Sequence, residues 1–231
     1  MSTSPRQDGS TDTASDLADQ PKRRDIIEGA RKVFRAEGFD GASMGQIAQA
    51  ASVSKGTLYV YFPSKEALFH ELVVHDRQES AEQMFRLDAI TDETDTRQLL
   101  QKLGESFVSM MVRPAHIALI RMVMGAAEKF PEAGRTFYET GPCIGFKRVS
   151  ELLACEVEAG RLAIDCDLEL AAAHFLNLCQ GKLIKPQLFC HGGEPTAAEI
   201  SETVASGVDV FLRAYATPGK QAPGRQTSAP A

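Results

Sequence analysis

One stretch constrains the fold of this chain more than any other, and it runs from Ser43 to Lys65 as SMGQIAQAASVSKGTLYVYFPSK. Ser43 stands at an N-cap position, and Gln46 three residues later completes a capping box, so a short helix begins here. Apolar residues recur along it at steps of three and four and therefore share one face. They are Met44, Ile47, Ala48 and Ala51.

A tight turn around Val53 leads into a second short helix, which Ser54 can cap. Leu58 and Phe62 are four residues apart, so both can turn inward with Val53. The other positions of this helix carry hydroxyl groups, a lysine and a glycine, and no acidic residue occurs in residues 41–65. Such a face suits a phosphate-lined groove. The alternative is a helical hairpin whose polar outer face is merely solvated.

Residues from about Ile26 to Leu72 resemble the DNA-binding domain of the TetR/AcrR family of transcriptional repressors. The resemblance is specific, because apolar, small and capping positions agree together over about a fifth of the chain. The matching residues are Ala30, Phe34, Gly38, Ser43, Ile47, Ala48, Ala51, Val53, Ser54, Gly56, Thr57, Leu58, Tyr59, Tyr61, Phe62, Lys65 and Leu68. Val60 departs from the aromatic or long polar residue often found at its position, which leaves open the loss of one backbone or base contact.

Residues from about 95 to 215 are similar to the ligand-binding half of the AefR-like branch, through the motif ALIRMVMGAAEKFPEAGRTFYETGP. The resemblance implies an all-α fold, with an N-terminal three-helix helix-turn-helix domain and a C-terminal helical bundle for ligand binding and dimerisation. We place the first domain in residues 21–66 and the second in residues 67–215. The polar composition of residues 1–20 and of the Pro, Gly, Ser and Ala tail 216–231 predicts disorder.

The resemblance implies a homodimer that represses transcription from a palindromic DNA operator. We call the N-terminal domain, residues 21–66, the head. Its second helix would cross the DNA backbone and its third would enter the major groove. There Gly56 allows close approach, Thr57 can contact a base edge, and Tyr59 can clamp a phosphate. The expected DNA contacts are Lys22, Arg23, Arg24, Ser43, Ser54, Lys55, Gly56, Thr57, Tyr59, Tyr61 and Lys65.

The charge distribution agrees with a basic, DNA-binding head joined to an acidic remainder of the chain, which we call the body. The formal net charge of −6 conceals a basic segment in residues 21–65, which carry eight basic and four acidic residues. Residues 66–231 carry sixteen basic and twenty-three acidic residues. Only the head is therefore expected to meet phosphate.

Five cysteines lie in the second half of the chain, and five is an odd number with no CxxC pair. This usage, together with the lack of an apolar signal region, predicts a reduced cytoplasmic protein. No run of eighteen or more apolar residues is present, so we expect no membrane span.

In the body, apolar residues recur at helical spacing, which predicts a series of helices. We expect them at 93–112, 116–130, from 131 onward with a break at Gly141-Pro142, at 167–189 and at 196–215. Irregular central helices leave room for a cavity. We expect a small apolar or aromatic effector there, lined by Phe107, Met111, Arg121, Met122, Phe137 and Phe175.

Two points about the body stay open at the level of sequence. Arg121 could pair with Glu128 or Glu132, or it could anchor an acidic ligand. The resemblance implies that the last two helices pair with their twofold mates as a four-helix interface. We assign to it Phe175, Leu176, Leu183, Ile200, Val204, Val208 and Phe211.

Two other classes of function are alternatives to a ligand-responsive repressor. A thiol redox sensor would use Cys143, because the adjacent Gly-Pro break could expose it. An enzyme is disfavoured, since no nucleophile–base pattern or glycine-rich phosphate loop is present. His70 and His75 are five residues apart and so cannot form the zinc pair of an HExxH motif, and we expect no metal or cofactor.

Overall fold

The computed structural model describes residues 12–84 and 95–217, with the side chains of 21–76 and 95–217. Over these residues the chain forms α-helices and no β-strand, which confirms the all-α prediction. The helices are α1 (Asp12–Gly41), α2 (Met44–Ala50), α3 (Lys55–Tyr61), α4 (Lys65–Met84), α5 (Thr96–Met111), α6 (Pro114–Ala127), α7 (Pro131–Thr140), α8 (Pro142–Glu158), α9 (Leu168–Gln180), α10 (Ile184–Leu188) and α11 (Ala197–Tyr215).

The described residues form two compact units. The N-terminal unit extends to Asp76 and also includes Met122–Thr136, so the end of α6 and the start of α7 belong to it. The C-terminal unit contains Arg77–Arg121 and the chain from Phe137 onward. The boundary predicted at residue 66 falls inside α4, and the contribution of residues 122–136 was not predicted.

Helix α1 begins before the domain boundary that we placed at residue 21. It starts at Asp12, so residues 12–20 are helical where disorder was expected. Extending a helix costs less than nucleating one, and the buried face around Ile26 supplies the nucleus. Residues 1–11 lie outside the described residues. The helical geometry of α1 is interrupted at Gly38, whose φ of 70° and ψ of 176° are not helical.

In the C-terminal unit the predicted break between α7 and α8 is confirmed at Gly141-Pro142. Residues 167–189, in contrast, do not form the single helix predicted from their apolar character. Asp167 caps α9, but Gly181 ends it with a φ of 47°, a conformation that favours glycine. A separate short helix, α10, follows.

The core of the C-terminal unit lies among α5, α8, α9 and α11. Helices α9 and α11 approach each other at Gly207, where an added Cβ would lie 2.8 Å from the carbonyl oxygen of Leu178.

Glu156, 4% exposed, accepts hydrogen bonds from the Thr96 hydroxyl and from both Nε (2.8 Å) and Nη2 (2.6 Å) of Arg161. These bonds outweigh burial and lower the pKa of Glu156. The carboxylate therefore ties the start of α5 to the end of α8.

The segment after α11 corrects the predicted C-terminal tail. Leu162 and Ala216 form an isolated antiparallel bridge, and the Ala163 amide donates to the Tyr215 carbonyl at 2.7 Å. The Thr217 amide donates to the Arg161 carbonyl at 3.3 Å. Ala216 and Thr217 are thus held by backbone pairing, which composition does not reveal. Residues 218–231 lie outside the described residues.

Within the described residues, each helix by itself falls short of the length and apolar character that crossing a membrane requires. Helices α5 and α6 meet those criteria only as a pair, with a bend of 64° between them.

Candidate nucleic-acid interface

The capping box predicted for α2 is present. The Gln46 amide donates to Ser43 Oγ at 3.3 Å, and the Ser43 amide donates to Gln46 Oε1 at 2.9 Å. Ile47 and Ala48 are buried on the inner face of this helix. The box satisfies exposed N–H groups at the start of α2 and fixes where that helix begins.

The turn between α2 and α3 is held by backbone and side-chain bonds. Ser52 has a φ of 57°, and the Val53 amide donates to the Ala48 carbonyl at 3.0 Å. Ser54 caps α3, because its Oγ accepts the Thr57 amide at 3.0 Å and lies 2.8 Å from Thr57 Oγ1. Both caps predicted from the sequence are therefore confirmed.

The faces of α3 are sharply divided. Leu58 is fully buried and Phe62, its C-cap, is 4% exposed. Thr57 and Tyr61 are half-buried. The outer face consists of exposed residues, namely Lys55, Gly56, Tyr59 and Val60. Of the residues expected to contact DNA from this helix, Lys55, Gly56 and Tyr59 are therefore exposed to solvent. Thr57 and Tyr61 are partly covered.

The basic residues at Lys22 to Arg24 differ in their surroundings. Lys22 and Arg24 are exposed. Arg23 donates to Glu71 at 2.6 Å, and its guanidinium lies 5.5 Å from the centre of the Phe62 ring. Arg23 therefore already joins α1 to α4 and to the end of α3.

Lys65 occupies a position that its sequence did not reveal. Its Nζ donates to the carbonyl oxygens of Phe39 (2.7 Å), Ala42 (3.1 Å) and Asp40 (3.5 Å), and it lies 4.5 Å from the Phe39 ring centre. An ammonium has three donors, and these carbonyls use them. Lys65 therefore holds the last residues of α1 and Ala42 in place, and its contact with phosphate stays a prediction.

Aromatic rings hold the end of α6 against the head. Phe39 stacks on Phe130 with centroids 5.5 Å apart and an interplanar angle of 12°, and the Phe69 ring centre lies 5.0 Å from that of Phe39. Lys129 forms an ion pair with Asp40 beside this stack. Sequence reasoning missed this contact. The signal was the pair Lys129-Phe130 directly before the helix-starting Pro131.

The residues predicted to line an effector cavity are not all brought together. Phe107 and Phe175 belong to one buried cluster, with Met111 packed against it. Phe137 lies in the same unit, 6.3 Å from the ring centre of His116. Met122 is buried in the N-terminal unit.

Arg121 follows neither of the two alternatives left open by the sequence. It is exposed, and its Nη2 donates to the backbone carbonyl of Gln187 at 2.8 Å. Its partner is thus a main-chain oxygen at the end of α10, and not Glu128, Glu132 or a buried ligand site.

The residues assigned to the dimer interface require a correction. All seven are buried within a single chain, with exposed fractions from 0% to 8%. The stripe on α11 packs against α5 and α9, where Val204 lies close to Gly104. An apolar stripe cannot distinguish a core face from an interface. These residues are Phe175, Leu176, Leu183, Ile200, Val204, Val208 and Phe211.

The fold and the site together define a helix-turn-helix DNA-binding regulator. Residues 26–72 match the family described as bacterial regulatory proteins, tetR family, and residues 98–217 match the AefR-like transcriptional repressor C-terminal domain. The chain belongs to the TetR family of transcriptional repressors, whose members are regulators and not enzymes.

Solved structures share the whole fold. The chain is 30% identical to the flavonoid-responsive regulator FrrA, with a TM-score of 0.72 over 87% of this chain and 100% of that one. It is 29% identical to a TetR-family regulator from Pseudomonas syringae pv. tomato str. DC3000, with a TM-score of 0.69 over 85% of this chain and 98% of that one.

A curated relative matches a shorter part of the chain. The chain is 45% identical to the HTH-type transcriptional regulator UidR of Escherichia coli (strain K12) over 67 residues, which are 29% of this chain and 34% of UidR. The chain thus spans about a third of the length of this relative.

Proposed function

We propose that the protein is a homodimeric repressor that binds a near-palindromic operator and is released by a small apolar or aromatic molecule. The observation that carries this proposal is the outer face of α3, which begins at a capped N-terminus and exposes Lys55, Gly56 and Tyr59. No acidic residue interrupts residues 41–65, so phosphate is not repelled. Two such helices would enter successive major grooves about 34–36 Å apart.

The DNA contacts divide by chemistry. Thr57 can present its hydroxyl and methyl groups to a base edge, and the amides at the start of α3 can face phosphate oxygens. Tyr59 is 51% exposed and ends in a hydroxyl group, which suits a phosphate. Lys22, Arg24 and Lys55 are exposed cations that would add to the salt dependence, by about 0.9 in slope for each phosphate neutralised.

We place the dimer surface on the outer side of α9 and α11. These helices run antiparallel, because His174 meets Tyr215 (2.9 Å between Nδ1 and the hydroxyl) while Gly181 approaches Thr203. Two large apolar side chains remain outside the core on this pair, Leu170 (49% exposed) and Val210 (46% exposed). A second copy covering them would remove apolar surface from water in each protomer.

The effector is proposed from the interior of the C-terminal unit and from one relative. Phe107, Phe175 and the half-buried Met111 give that interior aromatic and polarisable character. The similar regulator FrrA is named for its response to flavonoids. A planar aromatic effector is consistent with both. DNA of a bacterial cell lies in the cytoplasm, where we place the protein.

The switch is proposed to act through α4, which starts in the head at Lys65 and continues to Met84. An effector that favours a different conformation of the C-terminal unit would move α4 and change the separation of the two recognition helices. A typical coupling free energy of about 1–3 kcal/mol would weaken operator binding about 5- to 150-fold.

Selection of bound duplexes from a random DNA pool tests the proposal. We expect a near-palindromic consensus, with half-site centres about one helical turn apart. A panel of flavonoids and other aromatic compounds should then contain members that raise the melting temperature and release the selected duplex. Recovery of no consensus at low salt contradicts DNA reading. A panel in which no compound has both effects contradicts the aromatic effector.

A second candidate function is supported by the exposure of Cys143 in the first turn of α8. Peroxide could reach this thiol, whereas burial raises the pKa of Cys179 to about 12 and keeps that thiol protonated. In this alternative, peroxide lowers operator affinity in the native protein and not in Cys143→Ser. Equal affinities before and after peroxide in both proteins exclude it.

A further inference from the structure

Val60 occupies the outermost point of the recognition helix. An α-helix turns about 100° per residue, so Val60 is about 200° from the buried Leu58 and points away from the core. It is 83% exposed, more than the neighbouring Tyr59 at 51%. The residue that α3 presents most directly to a groove is therefore a valine.

The fold gives no reason for an apolar side chain at this place. Val60 contributes almost nothing to the core, and a β-branched residue is a weaker helix former than lysine, glutamine or alanine. Gly56, one turn earlier on the same side, leaves the approach to Val60 open. A Cβ at Gly56 would meet only Ser54 Oγ within 4 Å, at 3.8 Å.

The chemistry of the valine side chain selects its target in DNA. Its two methyl groups can neither donate nor accept a hydrogen bond, so they make no favourable polar contact with a phosphate or with a polar base edge. The apolar feature of the major groove is the C5-methyl group of thymine. Valine in a helix is held largely in one χ1 rotamer, so its methyl groups are presented with little loss of side-chain freedom.

We propose that Val60 determines specificity by packing against a thymine methyl group in each half-site of the operator. This inference rests on the proposed DNA-binding function, and it replaces the expectation that Val60 marks a missing contact. Val60 then reads one base by its methyl group, while Tyr59 positions the helix on the backbone.

The test changes the DNA and leaves the protein intact. Each thymine of the selected operator is replaced by deoxyuridine, at symmetry-related positions in both half-sites, and binding is measured by fluorescence anisotropy. Deoxyuridine lacks the methyl group and keeps the same base-pairing edge. At one position we expect the affinity to fall about fourfold for each half-site, the factor for one methyl group no longer removed from water. Replacement in both half-sites should therefore cost about 15-fold.

The matched protein variants identify the partner of that methyl group. Val60→Ala should bind the thymine operator about as weakly as the native protein binds the uracil operator, and it should lose its sensitivity to the replacement. Tyr59→Phe should retain the full sensitivity while binding both duplexes less tightly. Alanine favours helix, so α3 should persist, and circular dichroism verifies that the helix content of the whole protein is unchanged.

Two results overturn the inference: no thymine position responds in the native protein, or Val60→Ala keeps the whole uracil penalty. Either can occur while the native protein still binds its selected operator, in which case the proposed function stands and only the role of Val60 is wrong. Failure to select any operator would instead remove the proposed function.

Discussion

The ammonium group of Lys65 donates a hydrogen bond of 2.7 Å to the carbonyl oxygen of Phe39 and lies over the ring of the same residue, 4.5 Å from its centre. Lys65 begins α4, and Phe39 follows the non-helical Gly38 near the end of α1. The contact therefore connects the start of α4 to the last residues of α1.

A lysine near DNA can stabilise the fold or contact a phosphate, and variants of Lys65 and Lys55 distinguish these two roles. Lys65→Met keeps the apolar stem and removes the donors, so we expect a loss of about 1–2 kcal/mol in the free energy of unfolding. Operator binding should weaken with no change in its salt slope. Lys55→Met, at an exposed position of α3, should leave stability almost unchanged and lower the salt slope by about 0.9. Urea unfolding and salt titrations measure both. A lower salt slope for Lys65→Met would show that Lys65 also contacts a phosphate.

Thr57 and Tyr59 should differ in what they contribute to the operator. Thr57→Ala should relax the sequence preference at one base position by about 1–3 kcal/mol, because a base-edge contact is lost. Tyr59→Phe should weaken binding to all sequences alike. Binding to operators with single base-pair changes distinguishes the two. Equal loss of discrimination in both variants would show that the division of roles is wrong.

Close packing of α1 on α2 positions the reading helix, and Gly29 tests it. A Cβ at Gly29 would lie 2.7 Å from both the Cβ and the backbone nitrogen of Ala51. Gly29→Ala should therefore destabilise the protein by about 1–3 kcal/mol and weaken operator binding. The control is Gly125→Ala in α6, where an added Cβ meets nothing within 4 Å and should stabilise by up to about 1 kcal/mol. Thermal melting of both variants gives the comparison. Equal melting temperatures would mean that α1 and α2 adjust without cost.

The head could be predicted from the sequence because its signals are local. Ser43 and Ser54 cap helices through residues three positions away, and these spacings are written in the chain. Proline and glycine likewise marked the break between α7 and α8. Such features need no knowledge of the distant contacts of a residue.

The roles of Lys65, Phe130 and the α11 stripe were not predictable for a common reason. Each depends on partners that are distant in the sequence. Phe130, for example, stacks on Phe39, from which it is separated by ninety-one positions. The pattern of α11 correctly indicated an apolar face. Periodicity reports that a face is buried, and it does not report whether the same chain or a second chain covers it.

The buried Glu156 predicts a pH dependence of stability. Its pKa is lowered in the folded state, chiefly by the hydrogen bonds from Arg161. A depressed carboxyl pKa stabilises the fold above the unfolded pKa of about 4.3, and this contribution is lost as the pH falls through the lower folded value. The difference in unfolding free energy between the native protein and Glu156→Gln should therefore shrink on acidification from neutral pH to about pH 3. Urea unfolding across this range measures it. A difference that stays constant would mean that Glu156 does not titrate with folding.

The dimer surface proposed on α9 and α11 can be tested at Val210. Val210 is 46% exposed on α11, so Val210→Glu should leave the core intact and place a charge on the proposed interface. Ile144→Glu is the control, since Ile144 is 39% exposed on α8, a helix outside the α9–α11 pair. We expect sedimentation to find monomers for Val210→Glu and dimers for Ile144→Glu. Because one head contacts only one half-site, the Val210 variant should also lose most of its operator affinity. Dimers of Val210→Glu with native affinity would place the interface elsewhere on the chain.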